Sequence, residues 1–277
     1  MKWFFKGILK KLGIYHLLQR NYRRGLLFFQ NTLLKWRYRK YVGGEFTCNF
    51  CNASYSRFAV RYPEPENKIA LEKHHVVAGY GENTWCPNCM STARERLVLA
   101  MLQSRLNPAG MNILHFSPEK KISEYLKAKA NVISVDIVPG FYEGIDQHIQ
   151  YADATRLNFK NEKFDMVIAN HIMEHIPDDI KAMKEIYRVL KPGGIAFLQV
   201  PYSTTLENTI EDISINDPVQ QSALFGQRDH VRIYAFKDYS ARLASAGFKV
   251  EFLPPATLKE FARFALQPDE GFFICRK

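Results

Sequence analysis

Four of the five cysteines in this 277-residue chain form two C-x-x-C pairs, Cys48 with Cys51 and Cys86 with Cys89. Two such pairs supply four thiolates, the ligand set of a tetrahedral Zn²⁺ site, although the 34 residues between them make a long loop. Because four protein ligands leave no open coordination position, the spacing predicts a structural rather than a catalytic zinc ion. Cys275 is left over.

A second group of polar residues follows apolar runs that are typical of strands. Asp136 ends "NVISVD", 21 residues after His115, where doubly wound folds place a carboxylate that accepts hydrogen bonds from both hydroxyls of a cofactor ribose. Asp153 in "YADATRL" stands at the next strand end, where we expect it to accept from an adenine amino group while Ala154 offers its backbone N–H. The alternatives are a solvated carboxylate for Asp136 and an Asx turn for Asp153.

The turn between the first predicted strand and its helix, "ILHFSPEKK", contains no glycine. A dinucleotide brings a charged pyrophosphate onto the backbone of this turn, which is why glycines are needed there. Ser117 is a good N-cap and Pro118 suits the first helical position, so the sequence predicts a well-formed turn without a phosphate cradle. The turn argues against NAD or FAD and is compatible with a cofactor that has no phosphate.

These residues need a common scaffold, which the chain beyond residue 110 supplies. Strand-like and helix-like runs alternate there, which predicts an α/β fold with a doubly wound, mostly parallel sheet and two antiparallel strands at its end. Asn170 and His171 close the fourth predicted strand, "FDMVIAN". Ligands bind at the carboxyl ends of such strands, near the point where the strand order reverses. We therefore expect one cofactor site formed by His115, Phe116, Ser117, Asp136, Ile137, Asp153, Ala154, Asn170 and His171.

The segment "FDMVIANHIMEHI", followed by "EIYRVLKPGG" and another strand, resembles class I S-adenosylmethionine-dependent methyltransferases of the small-molecule, type 11 group. Pro192 stops the helix of this segment, and Gly193-Gly194 turn the chain into the next strand. The later stretch "GQRDHVRIYAFKDYSARLASAGF" is also similar to that family. The resemblance covers residues 111–277 and is specific as a constellation.

The resemblance implies a Rossmann-like methyltransferase fold, S-adenosylmethionine as the methyl donor and a small-molecule or glycan-type acceptor. The family usually carries Glu/Asp-x-Gly-x-Gly-x-Gly after its first strand. Here His115 stands near the acidic position and Ser117-Pro118-Glu119 replaces the glycines. S-adenosylmethionine has no phosphate and needs room for a methionyl tail, so the glycine-free turn tolerates it.

Methyl transfer to an oxygen acceptor usually needs a base. His230, in "QRDHVRIY", follows the fifth predicted strand and a long polar connection, so we expect it near the substrate as the catalytic base. His171 and His175 flank the end of the fourth predicted strand and are alternative bases. A purely structural role is the competing interpretation for all three histidines.

Residues 1–44 contain 11 of the 38 Lys and Arg residues and no Asp or Glu, whereas the rest of the chain has 27 basic and 28 acidic residues. The net charge of +10 therefore lies in a basic arm, whose pattern predicts an amphipathic helix that ends at Gly43-Gly44. Large apolar residues are interleaved with these cations, which favours an anionic membrane surface as the partner. Packing of the arm on the body and binding to RNA are the alternatives.

The sequence thus divides into a basic amphipathic arm (1–44), a zinc-knuckle module with a linking helix (45–110) and a methyltransferase domain (111–277). The start lacks the apolar stretch and cleavage site of a secretory signal, so we expect a cytoplasmic protein, peripheral to the inner face of the membrane. The leading hypothesis is an S-adenosylmethionine-dependent methyltransferase. An RNA methyltransferase is the first alternative, although nucleic acid is a less favoured partner. The second is a non-catalytic, zinc-stabilised binding protein.

Overall fold

The computed structural model describes residues 15–277, and of these it leaves the side chains of residues 15–24 and 27 undescribed. Helix α1 (Tyr15–Tyr38) is the described part of the basic arm. The first fourteen residues, which the sequence also assigns to the arm, lie outside the described residues. No helix within residues 15–277 is long and apolar enough to cross a membrane.

The arm ends earlier than the sequence predicts. A 3-10 turn (Arg39–Tyr41) follows α1 and leads into strand β1 (Val42–Thr47). Gly43-Gly44, the predicted end of the arm, lies inside this strand, where an irregular register sets Val42, Gly43 and Phe46 against Tyr55. Both glycines have positive φ, which suits a bulge and explains their presence in a strand.

A small module follows the arm. It contains β1, β2 (Ser54–Tyr55), β3 (Ala59–Arg61), α2 (Pro65–Lys73), β4 (Val76–Val77), β5 (Gly81–Trp85) and α3 (Ala93–Arg105). Within it, β1 pairs with β2 and β3 pairs with β5, both antiparallel. Helix α3 begins with a capping box, in which Thr92 Oγ1 accepts from the Glu95 N–H and Glu95 Oε2 accepts from the Thr92 N–H.

The rest of the chain alternates strands and helices. In order it forms β6 (Asn112–Phe116), α4 (Lys120–Lys127), β7 (Asn131–Asp136), β8 (Gln150–Tyr151), β9 (Phe164–Ile168), α5 (Asp179–Val189), β10 (Leu190–Phe197), β11 (Tyr202–Ser203), β12 (Ile210–Glu211), α6 (Pro218–Phe225), β13 (Arg232–Ala235), α7 (Phe236–Ser245), β14 (Lys249–Leu253) and β15 (Phe272–Arg276). The helix α5 ends at Val189, before the predicted stop at Pro192, because Leu190 already pairs with Phe164 of β9.

Seven of these strands form the central sheet, in the order β8-β7-β6-β9-β10-β15-β14. The strands from β8 to β10 are parallel, and β15 is antiparallel to both of its neighbours. The strand order reverses between β6 and β9, so the carboxyl ends of β6, β7 and β9 meet at the switch point. These observations confirm the doubly wound, mostly parallel sheet and the antiparallel edge that the sequence predicts.

Apolar residues fill both faces of this sheet, because successive side chains of a strand point to opposite sides. Leu114 and Val167 belong to the core that includes α5, whereas Ile113 and Met166 belong to the core that includes α3. Helix α3 therefore lies against one face of the sheet and reaches the carboxyl ends of its central strands. This places a helix of the N-terminal module beside the expected site.

The stretch 200–218, which the sequence predicts to be a long polar connection, contains two short strands, β11 and β12. A four-stranded sheet with the order β12-β13-β11-β4 includes β4 of the module, and Val77 lies opposite Tyr202. Helix α6 ends at Gly226, where a Cβ atom would lie 2.8 Å from Leu71 of α2. The sequence did not reveal these strands, because strands of two residues carry no periodic pattern and depend on partners that are distant in sequence.

One arginine of α3 joins the module to the C-terminal part of the chain. Arg96 is 0% exposed and donates to the carbonyl oxygens of Asn83, Ser91, Phe264 and Ala265 at 2.6–2.7 Å. Burial lowers the pKa of Arg96 to about 10, so the guanidinium stays protonated at neutral pH. A planar cation with several fixed donors can satisfy such a set of converging carbonyls.

We expect the substitution Arg96→Met to lower the free energy of unfolding by at least about 3 kcal/mol, because it leaves several buried carbonyls without a donor. Chemical denaturation measures this change. The matched control is Arg105→Met at the exposed end of the same helix, which should change stability by less than about 0.5 kcal/mol. Equal stability of the two variants would contradict the joining role of Arg96.

Candidate functional site

Two backbone turns of the same form carry the paired cysteines. In the first, the Asn52 N–H donates to the Cys48 carbonyl at 2.8 Å, and Asn52 has a φ of 57°. In the second, the Met90 N–H donates to the Cys86 carbonyl at 2.9 Å, and Met90 has a φ of 60°. A left-handed residue four positions after the first cysteine therefore folds each C-x-x-C pair into a compact knuckle.

The four paired cysteines lie together, as the sequence predicts. Their Sγ atoms are all within 4.8 Å of one another, and Cys48–Cys89 and Cys51–Cys86 are each separated by 3.7 Å. Zn–S bonds of about 2.3 Å in a tetrahedron would place the sulfurs about 3.8 Å apart, whereas a disulfide needs about 2.05 Å. The spacing therefore fits four thiolates around a metal ion. Cys275 lies elsewhere, buried in β15.

At the switch point, Ser117 joins the ends of β6 and β7. Ser117 has a φ of 44°, and its Oγ donates to Asp136 Oδ2 at 2.6 Å. Asp136 Oδ1 accepts from the Val138 N–H at 2.6 Å. These two bonds fix the carboxylate of Asp136 at the strand end and leave it further acceptor capacity for a ligand.

Helix α4 begins later than predicted. It starts at Lys120, with Glu119 in the N-cap position and no side-chain cap. The predicted N-cap, Ser117, and the predicted first helical residue, Pro118, both precede the helix, so these two assignments were wrong. The physical reason is that the Ser117 hydroxyl bonds across the turn to Asp136 rather than to a helix N–H.

The next strand ends continue the same edge. Ile137, beside Asp136, is 61% exposed, so it is free to cover a ligand. Asp153 Oδ1 accepts from both the N–H and the hydroxyl of Thr155 at 2.8 Å, which is the Asx turn considered as its alternative role. Ala154 is buried directly after it. The role of Asp153 toward an adenine group stays a prediction.

Glu119 is a site residue that the sequence analysis missed. Its Oε2 lies 2.8 Å from His115 Nε2, and its Oε1 accepts from Asn170 Nδ2 at 3.2 Å. His115 and Phe116 are themselves buried, so the side chain that reaches the pocket from this turn is the carboxylate of Glu119. Burial raises the pKa of Glu119, but the contact with His115 outweighs it and holds the pKa below its usual value. The available signal was a carboxylate four residues after a histidine at a strand end.

A pocket lies between α3 and the carboxyl ends of the central strands. Leu97 and Val98 of α3 line one wall, and Glu119, Asn170 and His171 line another. Helix α3 therefore covers the carboxyl ends of the central strands. Of the residues predicted from the sequence, Asn170 and His171 line this pocket, whereas Asp136 and Asp153 do not.

Arg94 and Glu270 also line this pocket, although no sequence pattern points to either residue. Arg94 Nε lies 3.3 Å from Glu270 Oε1. Within the described residues, Arg94 Nη2, Glu270 Oε2, Asn170 Oδ1 and His171 Nδ1 are buried without a hydrogen-bond partner. Unpaired buried polar atoms are costly, so these groups are available to bond to water or to a polar ligand.

The turn after β9 carries His171, Glu174 and His175, and a buried arginine holds it. Arg232 is 1% exposed and donates to the carbonyls of Met173, Ile176 and Pro177 at 2.5–3.0 Å. His171 has a φ of 55°, and its N–H donates to the Gln199 carbonyl at 2.6 Å. The turn is thus fixed at both ends, which fixes the side chains that it presents.

Glu174 lies between the imidazole rings of His171 and His230. Its Oε1 is 3.7 Å from His171 Nδ1 and 3.9 Å from His230 Nε2. The rings of His175 and His230 meet edge to face at 4.7 Å. Burial raises the pKa of Glu174, but the neighbouring imidazoles, His171 first, outweigh it and lower the pKa to about 2. Glu174 is therefore a buried carboxylate anion at neutral pH.

The structure places His230 behind this turn. It is 6% exposed, and its Nδ1 lies 3.3 Å from the Phe225 carbonyl oxygen. Burial lowers the pKa of His230 to about 4, so the ring is neutral at pH 7 and only weakly basic. Its assignment as the catalytic base stays a prediction, and His171 is the imidazole that lines the pocket.

Comparison with known proteins places a family match on this region. Residues 118–198 match the methyltransferase domain family. The chain is 26% identical over 149 residues to a demethylmenaquinone methyltransferase of Staphylococcus epidermidis, covering 51% of this chain and 56% of that protein. It is 31% identical over 107 residues to a 27-O-demethylrifamycin SV methyltransferase of Amycolatopsis mediterranei, covering 37% of this chain and 35% of that protein. The chain spans about half, or less, of the length of these relatives.

A solved structure of an S-adenosylmethionine-dependent methyltransferase from Mesorhizobium loti aligns with a TM-score of 0.48 and 15% identity, covering 67% of this chain and 98% of that chain. The matched residues 118–198 begin at the turn after β6 and end just beyond β10. They include Asp136, Asp153 and the turn that carries His171. Glu119 and the strand-end residues from Asp136 to His171 therefore lie in the matched segment, whereas His115, Phe116 and Ser117 precede it.

Proposed function

We propose that the protein is an S-adenosylmethionine-dependent methyltransferase that acts on a small-molecule or glycan-type acceptor. The observation that carries the proposal is a pair of carboxylates, Asp136 and Glu119, at neighbouring strand ends inside the methyltransferase-domain match. Asp136 suits the ribose hydroxyls and Glu119 suits the ammonium group of the methionyl tail. The turn between them offers no cradle of glycines for a phosphate.

The residues at this edge fit the parts of such a cofactor. When bound, S-adenosylmethionine supplies a sulfonium methyl group, whose carbon–sulfur bonding electrons return to sulfur as the acceptor's lone pair forms the new bond. Leu97 and Val98 exclude water from the pocket, and Asn170 and Arg94 orient the acceptor through their unpaired polar atoms. His171 lies where it can receive the proton of an acceptor hydroxyl, whereas His230, the base predicted from the sequence, does not line the pocket.

The pocket favours a small acceptor over the alternatives. Its unpaired groups are buried between α3 and the sheet edge, where a compact polar molecule can satisfy them. An RNA methyltransferase would be expected to present cations around the site, yet the excess positive charge lies in the N-terminal arm.

We expect S-adenosylmethionine to bind and NAD not to bind. The substitution Asp136→Asn should weaken S-adenosylmethionine binding by roughly 1.5–3 kcal/mol, which is about 10- to 150-fold, because a charged acceptor is lost. Isothermal titration calorimetry measures both affinities. The matched control is Asp165→Asn at the opposite, amino end of β9, which should leave cofactor affinity unchanged. Binding of NAD without S-adenosylmethionine would refute the proposal.

We propose further that Cys48, Cys51, Cys86 and Cys89 hold one structural Zn²⁺ ion. The support is the separation of the sulfurs and the repeated knuckle geometry described above. The charge of four thiolates exceeds that of one Zn²⁺, and the buried Arg96 nearby offsets part of it. The ion would stabilise the module that carries α3, and hence one wall of the pocket.

We expect freshly purified protein to contain one zinc per chain at this site and to melt at a lower temperature after chelation, because structural zinc contributes to folding. The double substitution Cys51→Ser and Cys89→Ser should abolish this zinc. Cys275→Ala, which removes the fifth thiol, should leave it in place. Elemental analysis together with thermal melting tests this, and cysteine variants with wild-type zinc content would be the contrary result.

We also propose that the basic arm binds a membrane surface. The support comes from α1, the described part of the arm. Phe28, Phe29 and Trp36 are 76%, 66% and 62% exposed on α1, although Leu34 and Tyr38 pack against the module. Residues 1–44 carry only positive charges. Exposed aromatic groups together with cations are the features of an interfacial helix that binds anionic lipid.

The triple substitution Phe28→Ser, Phe29→Ser and Trp36→Ser should reduce partitioning onto phosphatidylglycerol-containing vesicles at least about tenfold, because it removes the apolar groups that enter the interface. Vesicle co-sedimentation measures this. Tyr62→Ser, which removes an aromatic group that is 79% exposed on the module, serves as the control and should partition as the unaltered protein does. Equal partitioning of the triple variant would exclude the arm as the binding element.

A further inference from the structure

A second group of metal-ligating side chains lies outside the cysteine cluster. Glu174, His175 and His230 each offer one ligand atom, and these atoms lie within 4.8 Å of one another. The three residues come from two places in the chain, the turn after β9 and the start of β13, which Arg232 connects. The cluster is therefore held in place by the fold rather than by its own contacts.

The direct contacts inside this cluster are poor hydrogen bonds. Glu174 Oε1 is 3.9 Å from His230 Nε2 and 3.7 Å from His171 Nδ1, both longer than a hydrogen bond. The other oxygen, Glu174 Oε2, is buried without a partner among the described residues, although the residue is only 1% exposed. A buried carboxylate with two weakly paired oxygens is costly unless a cation satisfies it.

The two imidazoles are oriented as metal ligands usually are. Nδ1 of His230 faces the Phe225 carbonyl at 3.3 Å, and Nδ1 of His175 faces the Asp229 carbonyl at 3.1 Å. Each Nδ1 therefore carries the proton as a donor, which leaves the lone pair on Nε2. Backbone carbonyls that fix the tautomer in this way are the common outer contacts of ligating histidines.

We propose that Glu174, His175 and His230 bind one divalent transition-metal ion. Two imidazoles and one carboxylate form a ligand set that holds Zn²⁺, Mn²⁺ or Fe²⁺ and leaves coordination positions open. The side chain of His175 is 29% exposed, which gives the ion a route from solvent. The site differs from the cysteine cluster, whose four thiolates leave no open position.

The position of this site gives the metal ion a role in the proposed methyl transfer. This part of the inference rests on that proposed function. His171, which lines the pocket, lies 3.7 Å from Glu174, so the cation site borders the acceptor pocket. A cation with open positions there would bind an acceptor oxygen and lower the pKa of an acceptor hydroxyl. The acceptor class favoured by this arrangement is one with a hydroxyl group, or two adjacent hydroxyl groups, at the methylated end.

Mn²⁺ is the probe of choice, because thiolates bind it weakly and it does not report on the cysteine cluster. The zinc-loaded protein is titrated with Mn²⁺ alone, and free Mn²⁺ is followed by electron paramagnetic resonance. We expect uptake of one Mn²⁺ per chain, with the dissociation constant raised at least about tenfold by Glu174→Gln and by His175→Asn. His148→Asn, at an exposed histidine away from the cluster, is the matched control and should bind Mn²⁺ normally.

His175→Asn keeps the test decisive if Glu174→Gln perturbs folding, because His175 is partly exposed, and melting temperatures identify any variant that unfolds. Elemental analysis after dialysis against Zn²⁺ should show two zinc ions per chain in the unaltered protein and one in His175→Asn. A protein that takes up neither Mn²⁺ nor a second Zn²⁺, or that takes them up equally in the His175 variant, overturns the proposal. Metal binding is measured without turnover, so this failure is distinct from a failure of S-adenosylmethionine to bind.

Discussion

The buried guanidinium of Arg96 is the interaction on which the architecture depends. It donates to carbonyls of β5, of the residue that follows the second knuckle and of the segment that precedes the last strand. Those partners lie far apart in sequence, and Arg96 sits on the helix that forms one wall of the pocket. The position of α3 over the strand ends, and with it the shape of the pocket, follows from this one cation being fully paired.

Local sequence patterns were sufficient to predict the structure where residue types recur at a regular spacing. The alternation of apolar strands and helices predicted the central sheet, and the paired C-x-x-C spacing predicted that four cysteines would lie together. It was insufficient where a side chain acts across the fold. Ser117 looked like a helix cap because its bond to Asp136 crosses between strands, and the two-residue strands around Tyr202 have no periodicity to detect.

The first turn places a carboxylate beside the end of β6, although a histidine stands there in the sequence. A histidine stands at the end of β6, where an acidic residue would be expected from the resemblance, and the helix that follows returns a carboxylate, Glu119, to that imidazole. The negative charge at the strand end is thus supplied from the helix and held by Asn170 as well. A search for the usual linear motif does not reveal this carboxylate, because Glu119 lies four residues after His115.

The pairing of β4 with β11 has a consequence for the order of folding. Val77 lies opposite Tyr202, and α2 packs against α6 at Gly226, so the N-terminal module finds its remaining partners only after most of the chain has been synthesised. Until then, β4 is unpaired and the apolar surface of α2 is exposed. Contacts between residues so far apart in sequence form slowly. We therefore expect β4 and the apolar surface of α2 to become ordered later than the cysteine knuckles, whose backbone turns close within four residues.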